Sequence, residues 1–224
     1  MEKKPLINLK NVTFSFNGSA LLERINLDIF QGEIFVLLGD SGSGLTTFLR
    51  LVSGLIKPLK GTVKIFGVDI HNSPQHQLMK VRQKIGFIFQ HGALLNNMTL
   101  LENVALPLRY HTNFKEKKIQ EIAREKLRYV GIEKHETELP AQLSEECVKR
   151  GGLARALALE PRIIFCDELT AGFGGHHSNC ILNLIDKLNE ENGITPVIVS
   201  QDKSIDNNLV DKVGVIKNER IEMI

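Results

Sequence analysis

The sequence predicts an α/β fold: a mostly parallel core sheet with an antiparallel β layer at its edge and a helical subdomain. Two stretches that alternate apolar and polar residues open the chain, and short continuous apolar runs alternate with helical patterns after them. Alternation predicts strands with one exposed face, whereas continuous apolar runs predict strands that are covered on both faces. Antiparallel strands followed by buried strands and helices are typical of this architecture.

The predicted elements follow in chain order. Residues 6–16 and 22–30 alternate as antiparallel strands, with a turn at Asn17-Gly18 between them. Ile34–Leu38 is the first buried strand, and a glycine-rich loop joins it to a helical stretch over 46–55. Further buried strands are predicted at 85–89, 163–166 and 196–200.

The middle of the chain, residues 94–159, shows no convincing strand and predicts a helical subdomain. Its charged stretch Lys115–Val130 places apolar residues at helical spacing, which predicts one buried stripe. We expect a single domain in which residues 1–93 and 160–224 form the core around this insertion.

The composition excludes several classes of protein. The chain has 224 residues, 42% of them hydrophobic, and 28 Lys and Arg against 26 Asp and Glu, for a net charge of +2. Without a basic excess, we expect no nucleic-acid partner. No run of apolar residues is long enough to span a bilayer, and the three scattered cysteines are typical of a reducing compartment. We therefore expect a cytoplasmic globular protein.

A phosphate-binding loop is the first motif that carries chemistry. Gly39-Asp-Ser-Gly-Ser-Gly-Leu-Thr46 matches the pattern G-x-x-x-x-G-K-[ST] except that Leu45 replaces the lysine. Glycines let successive N–H groups point inward, and the helix N-terminus adds partial positive charge. Thr46 supplies a hydroxyl for Mg²⁺, but the ammonium for the phosphates is absent. The alternative is an ordinary turn between a strand and a helix.

Two carboxylates follow the predicted strand at 163–166. In a phosphate-loop fold, Asp167 stands where the Mg²⁺-side aspartate belongs, and Glu168 where a glutamate polarises the attacking water. Alone, two acids at a strand end are equally typical of a solvated turn. Together with the loop upstream they predict a site for phosphoryl chemistry.

These motifs, and others in the same order, resemble the nucleotide-binding subunit of an ABC transporter, which is a P-loop NTPase. The resemblance covers nearly the whole chain. It implies that ATP and Mg²⁺ bind, and that two such subunits close head to tail on a membrane permease at the inner face of the plasma (inner) membrane. Whether the pair is a homodimer or a heterodimer with another ATP-binding subunit stays open.

The segment 89–112 is similar more narrowly to the Mla-type phospholipid-transport ATPases, also described as organic-solvent resistance transporters. The ATPases of this group serve systems that contain MCE-domain lipid-binding proteins. The resemblance therefore implies lipid transport and an MCE-domain partner.

The resemblance also implies roles for individual residues. Phe16 stacks on adenine, Gln90 contacts Mg²⁺ and couples to the permease, and Glu168 and Gln201 are the catalytic positions. Residues 142–161 form the signature segment and 169–175 the D-loop. The expected nucleotide contacts are Phe16, Gly39, Asp40, Ser41, Gly42, Ser43, Gly44, Leu45, Thr46, Thr47 and Ser144. The expected Mg²⁺ ligands are Thr46, Gln90 and Asp167.

Four sequence elements depart from the family pattern. Leu45 replaces the loop lysine, and the signature Leu-Ser-Gly-Gly-Gln (or Met) is Leu-Ser-Glu-Glu-Cys at 143–147. Gly174 replaces the D-loop aspartate, and Gln201 replaces a histidine that could take up a proton at neutral pH. Four departures at phosphate-facing elements predict impaired or absent ATP hydrolysis.

The acidic signature has two interpretations. An anion about 4 Å from a phosphate costs on the order of a few kcal/mol at an effective dielectric near 20, so Glu145 and Glu146 would repel a nucleotide. Alternatively, they stabilise their helix by complementing its dipole. Two other functions stay open: a working ATPase in which Lys149, Arg150 or a partner's lysine compensates, and a non-catalytic scaffold in the ATPase dimer slot.

Overall fold

The computed structural model describes residues 4–16, 19–169, 175–203, 205 and 209–224. The predicted turn at Asn17-Gly18 and the D-loop position Gly174 lie outside these residues. The chain divides into two compact units, Met1–Arg82 with Phe165–Ile224, and Gln83–Ile164. The subdivision expected at 93/94 and 159/160 remains a prediction.

The described elements are two strands followed by a mixture of strands and helices. In chain order they are β1 (Ile7–Phe16), β2 (Ser19–Ile29), β3 (Phe35–Leu38), α1 (Leu45–Val52), β4 (Lys60–Ile65), β5 (Val68–Asp69), α2 (Gln75–Arg82), β6 (Ile85–Ile88), α3 (Leu100–His111), α4 (Glu116–Tyr129), α5 (Glu145–Leu157), β7 (Ile163–Asp167), α6 (Gly175–Asn192), β8 (Thr195–Ser200), β9 (Lys212–Lys217) and β10 (Arg220–Met223).

The first unit contains the predicted parallel core. Its larger sheet has the order β10–β9–β3–β8–β7. Strand β3 lies parallel to both β8 and β9, and Leu38 is in register with Ser200. All residues of β3, β7 and β8 are buried, as their continuous apolar runs predict. Because β3 and β8 are parallel, the chain leaves both strands at the same edge of the sheet.

The antiparallel layer of the first unit has the order β2–β1–β4–β5. Its pairing of Ile7 with Ile29 confirms the antiparallel strands that alternation predicts. Strand β4 alternates too, with Val63 and Ile65 buried, but it was not predicted from the sequence. The hairpin of β9 and β10 was not predicted either. That turn places Asn218 and Glu219 at positive φ without the glycine that usually marks such turns.

The second unit is mainly helical, as predicted. Helices α3, α4 and α5 pack against one another, and α5 also packs against β6. Helix α4 buries Ile119, Ala123 and Leu127, which is the stripe expected from their spacing. No helix among the described residues is long and apolar enough to cross a bilayer.

Two adjacent glycines inside α5 allow close packing in the second unit. A Cβ on Gly152 would lie 2.9 Å from the carbonyl oxygen of Gly92, and one on Gly151 would lie 2.5 Å from Leu100 Cδ1. Glycine in a helix costs roughly 1 kcal/mol relative to alanine. Here the contact between α5 and the loop after β6 offsets that cost.

Candidate functional site

The glycine-rich loop between β3 and α1 has the curled backbone that the sequence predicts. Gly42 and Gly44 have φ of +80° and +104°, the left-handed region in which a side chain is strained. A Cβ on Gly39 would collide with the side chain of Ser43. The amide of Gly39 lies 3.4 Å from the Ser200 carbonyl oxygen, which ties the start of the loop to the end of β8.

The loop offers an unsatisfied hydroxyl but no cation at position 45. Ser43 Oγ is buried without a hydrogen-bond partner among the described residues, which fits a ligand with oxygen acceptors or donors. Leu45 is buried, and its Cδ2 lies 3.4 Å from where a Cβ on Gly39 would be. A methyl group therefore packs against the start of the loop, in a position where the family pattern has a flexible ammonium.

Thr46 and Asp167 meet across the site. Thr46 Oγ1 donates a 3.0 Å hydrogen bond to Asp167 Oδ1 at the end of β7. Burial raises the pKa of Asp167, as does the charge of Glu168, while the hydrogen bond from Thr46 and the charge of Arg50 oppose the rise. A hydroxyl beside a carboxylate is the oxygen donor set that Mg²⁺ prefers, so these residues fit the metal.

Glu168 is held by backbone groups at the end of β8. Its amide donates to the carbonyl oxygen of Val199 at 3.1 Å, and its Oε2 accepts from the Gln201 amide at 3.2 Å. Glu168 is buried and has a φ of +50°, which is a strained backbone conformation for a residue other than glycine. Such a conformation persists only where the surrounding contacts hold it in place. The Gln201 side chain itself is exposed.

The other predicted site residues differ in their exposure and in their place in the fold. Phe16 is 67% exposed at the end of β1, and Gln90 is exposed in the second unit after β6. Asp40 and Ser41 are exposed, and Thr47 is half-buried in α1. Lys203, which was not predicted from the sequence, forms a 3.0 Å ion pair between its Nζ and Asp40 Oδ1.

The signature helix α5 neutralises its own carboxylates. Glu145 pairs with Lys149 at 3.6 Å and Glu146 with Arg150 at 2.8 Å, both with the acid four residues before the base. This is the favourable orientation for a helical ion pair, so the helix-stabilising interpretation gains support. Ser144 caps the helix by accepting a 3.3 Å hydrogen bond from the Cys147 amide.

Comparisons with known proteins identify the class. The family model for the ABC transporter matches residues 22–171. A probable ribonucleotide transport ATP-binding protein, mkl, of Mycobacterium leprae is 39% identical over 97% of this chain, which spans 62% of that relative. The dimeric post-hydrolysis structure of the ATP-binding cassette MJ0796 with ADP and Pi superposes with a TM-score of 0.88, at 33% identity and 96% coverage of both chains.

The chain therefore belongs to the ABC transporter family, as an ATP-binding domain. The intermembrane phospholipid transport system ATP-binding protein MlaF of Haemophilus influenzae is 35% identical over 96% of this chain and 82% of its own length. This similarity supports the Mla-like resemblance of the sequence.

Replacing Asp167 with asparagine tests the electrostatics of the metal-side pair. Because the folded state disfavours the Asp167 carboxylate, ionisation costs stability as the pH rises from the ordinary pKa through the raised one. Asparagine keeps an oxygen for Thr46 and removes that cost. We expect Asp167→Asn to raise the melting temperature at pH 7.5 by about 1–4 °C, and the gain to shrink towards pH 4.

The matched control is Asp69→Asn in the same unit. Burial raises the pKa of Asp69, but hydrogen bonds from the Asn72 side chain and from the His71 and Asn72 amides outweigh it and lower the pKa overall. This variant should therefore lose stability at pH 7.5. A lower melting temperature for both variants would contradict the account of Asp167.

Proposed function

We propose that this chain is the ATP-binding subunit of an ABC transporter for lipids, with impaired ATP hydrolysis. One observation carries the impaired hydrolysis: the loop keeps the Thr46–Asp167 pair but places Leu45 where a cation should neutralise phosphate. The oxygen groups that fit Mg²⁺, on Thr46 and Asp167, are thus retained as the metal side of the site. The charge side, where position 45 would neutralise phosphate, is altered. The lipid class rests on the similarity to MlaF.

ATP binding rests on the backbone of the loop and on a few side chains. Backbone amides of the loop between β3 and α1, together with the N-terminus of α1, bind the phosphates, and Ser43 contributes its hydroxyl. Thr46 and Asp167, together with Gln90 as the resemblance implies, would hold Mg²⁺, which would neutralise charge on the phosphoryl group. Phe16 stacks on the adenine ring, and Ser144 contacts the nucleotide held by the other subunit.

Hydrolysis requires a water that attacks the terminal phosphorus while the bond to ADP breaks. Glu168 is the group that orients this water and accepts its proton, because its Oε2 is already fixed by the Gln201 amide. Gln201 replaces a residue that could exchange a proton at neutral pH, so its side chain contributes hydrogen bonds only.

Leu45 reduces the binding of phosphate and the stabilisation of the transition state. A charge-assisted contact is worth about 1.5–3 kcal/mol, which corresponds to roughly a 10- to 150-fold change. In a homodimer this deficit affects both composite sites. In a heterodimer with an intact subunit, the Leu45 deficit and the acidic signature fall in different sites.

A second candidate function is a working ATPase in the same transporter. The ion pairs of Glu145 with Lys149 and of Glu146 with Arg150 favour it, because they remove most of the negative charge expected at the signature. On this account the loss of the lysine is compensated elsewhere.

ATP turnover by the transporter complex distinguishes these functions. Leu45→Lys restores the cation, and Leu45→Met is the control because it keeps an apolar side chain of similar size. We expect turnover of the natural chain below 1 s⁻¹, a rise of at least tenfold in Leu45→Lys, and no rise in Leu45→Met.

Turnover of about 1–100 s⁻¹ by the natural chain, unchanged in Leu45→Lys, would establish the working ATPase instead. If equilibrium titration detects no Mg-ATP binding at millimolar concentration, the chain is a non-catalytic scaffold that fills the ATPase dimer slot.

The permease is the proposed membrane partner, which places the chain at the cytoplasmic face of the membrane. A groove of about 460 Å³ in the second unit supports this proposal. Phe87 and Phe89 stack there at 4.3 Å between ring centroids, and Leu106 and Tyr110 of α3 line the same groove. Arg155 donates to the carbonyl oxygens of Ala93 and Gly92 at 2.7 and 3.0 Å and so fixes one side.

An amphipathic segment of the permease fits this groove, because exposed aromatic rings gain most from burial against an apolar face. The segment after Gln90 forms part of its wall, so occupancy of the groove can affect a predicted Mg²⁺ ligand. An MCE-domain lipid-binding protein is the proposed further component of the assembly.

Replacing Phe89 with aspartate tests the docking groove. We expect Phe89→Asp to lower the amount of permease that co-purifies with the chain at least fivefold, because it replaces an apolar ring by a carboxylate that is costly to bury. Phe114→Asp is the matched control, since Phe114 is exposed in the same unit but does not line the groove. Equal recovery of permease with both variants would contradict the docking site.

A further inference from the structure

Lys203 lies beside the phosphate loop although 163 residues separate it from Asp40. The parallel pairing of β3 and β8 explains this proximity, because the chain leaves both strands at one edge of the sheet. Residues 39–44 follow β3, and residues 201–203 follow β8. Within the described residues, Lys203 is the cation that forms an ion pair with this loop.

We propose that Lys203 supplies the phosphate-binding cation that Leu45 cannot provide. The inference rests on the proposed function, since it needs a nucleotide in the loop. In the structure the ammonium is held by Asp40, 3.0 Å away, and when ATP binds it contacts the phosphates from the β8 side of the loop. A lysine in a different part of the chain thus helps to bind the phosphates of ATP, whereas the contact that a loop lysine makes in the transition state stays absent.

The charge of the loop supports this assignment. Asp40 adds a carboxylate to a loop that must accept a polyanion, and Leu45 provides no cation to balance it. Before nucleotide binds, the Lys203 ammonium neutralises Asp40. A bound triphosphate, with its larger negative charge, then attracts the same ammonium more strongly than one carboxylate does.

The exposure of the ion pair argues for a binding role over a stabilising one. The side chains of Lys203 and Asp40 are 67% and 85% exposed. Exposed pairs add little to stability, so the ammonium can leave Asp40 at small cost. Lys203 also follows Gln201 by two residues, and the Gln201 amide holds Glu168, so the same short segment reaches the loop and the catalytic carboxylate.

Equilibrium titration of the full-length chain with Mg-ATP tests the proposal. We expect Lys203→Met to weaken binding about 5- to 20-fold, and Lys203→Arg, which keeps the charge, to stay within about twofold of the natural chain. Lys217→Met is the matched control, because Lys217 forms an exposed pair with Glu222 at 3.7 Å in the hairpin of the same unit. It should leave the affinity unchanged.

Two further variants separate phosphate binding from the ion pair itself. Asp40→Asn breaks the pair but keeps the ammonium, so binding should stay equal or become tighter. Leu45→Lys in the Lys203→Met background should restore the affinity by supplying a cation from the other side.

The outcomes distinguish the two proposals. If the natural chain fails to bind Mg-ATP, the proposed function fails, and with it the premise of this inference. If the natural chain binds and Lys203→Met binds equally well, Lys203 is not the cation. An equal loss in Asp40→Asn and Lys203→Met would show that the ion pair acts by stabilising the loop, which would also overturn the assignment.

Discussion

The hydrogen bond between Thr46 Oγ1 and Asp167 Oδ1 joins the start of α1 to the end of β7, across 121 residues of sequence. It exists because β3 and β7 end at the same edge of the sheet, with β8 between them. Glu168 follows Asp167 directly and is fixed by backbone groups of β8. The phosphate loop, the metal-side carboxylate and the proposed catalytic carboxylate therefore share one rigid support.

The distribution of charge explains why this site can keep the groups that bind a metal ion and lose the group that neutralises phosphate. Oxygen ligands for a cation are present. At position 45, however, a buried leucine replaces the lysine of the family pattern. The carboxylates of the signature helix carry their own counter-ions. The negative charge of the phosphates still needs a cation. The segment after β8 holds a lysine, Lys203, beside the loop.

The sequence predicts the elements that follow simple rules and misses those that depend on distant partners. Continuous apolar runs identified β3, β7 and β8, and glycine spacing identified the loop. The ion pairs of Glu145 and Glu146 could be predicted from the sequence alone, because acids and bases four residues apart meet on a helix. The ion pair of Lys203 with Asp40 could not be predicted in this way, because it depends on the order of strands in the sheet.

The dependence of ATP affinity on Mg²⁺ is the most direct test of a site with an intact metal side and an altered charge side. Titrations of the natural chain and of Thr46→Val would be compared in Mg²⁺ and in excess chelator. We expect Mg²⁺ to tighten ATP binding by the natural chain at least tenfold, and to have little effect on Thr46→Val, which lacks the hydroxyl ligand. Equal affinity of the natural chain with and without Mg²⁺ would contradict the account.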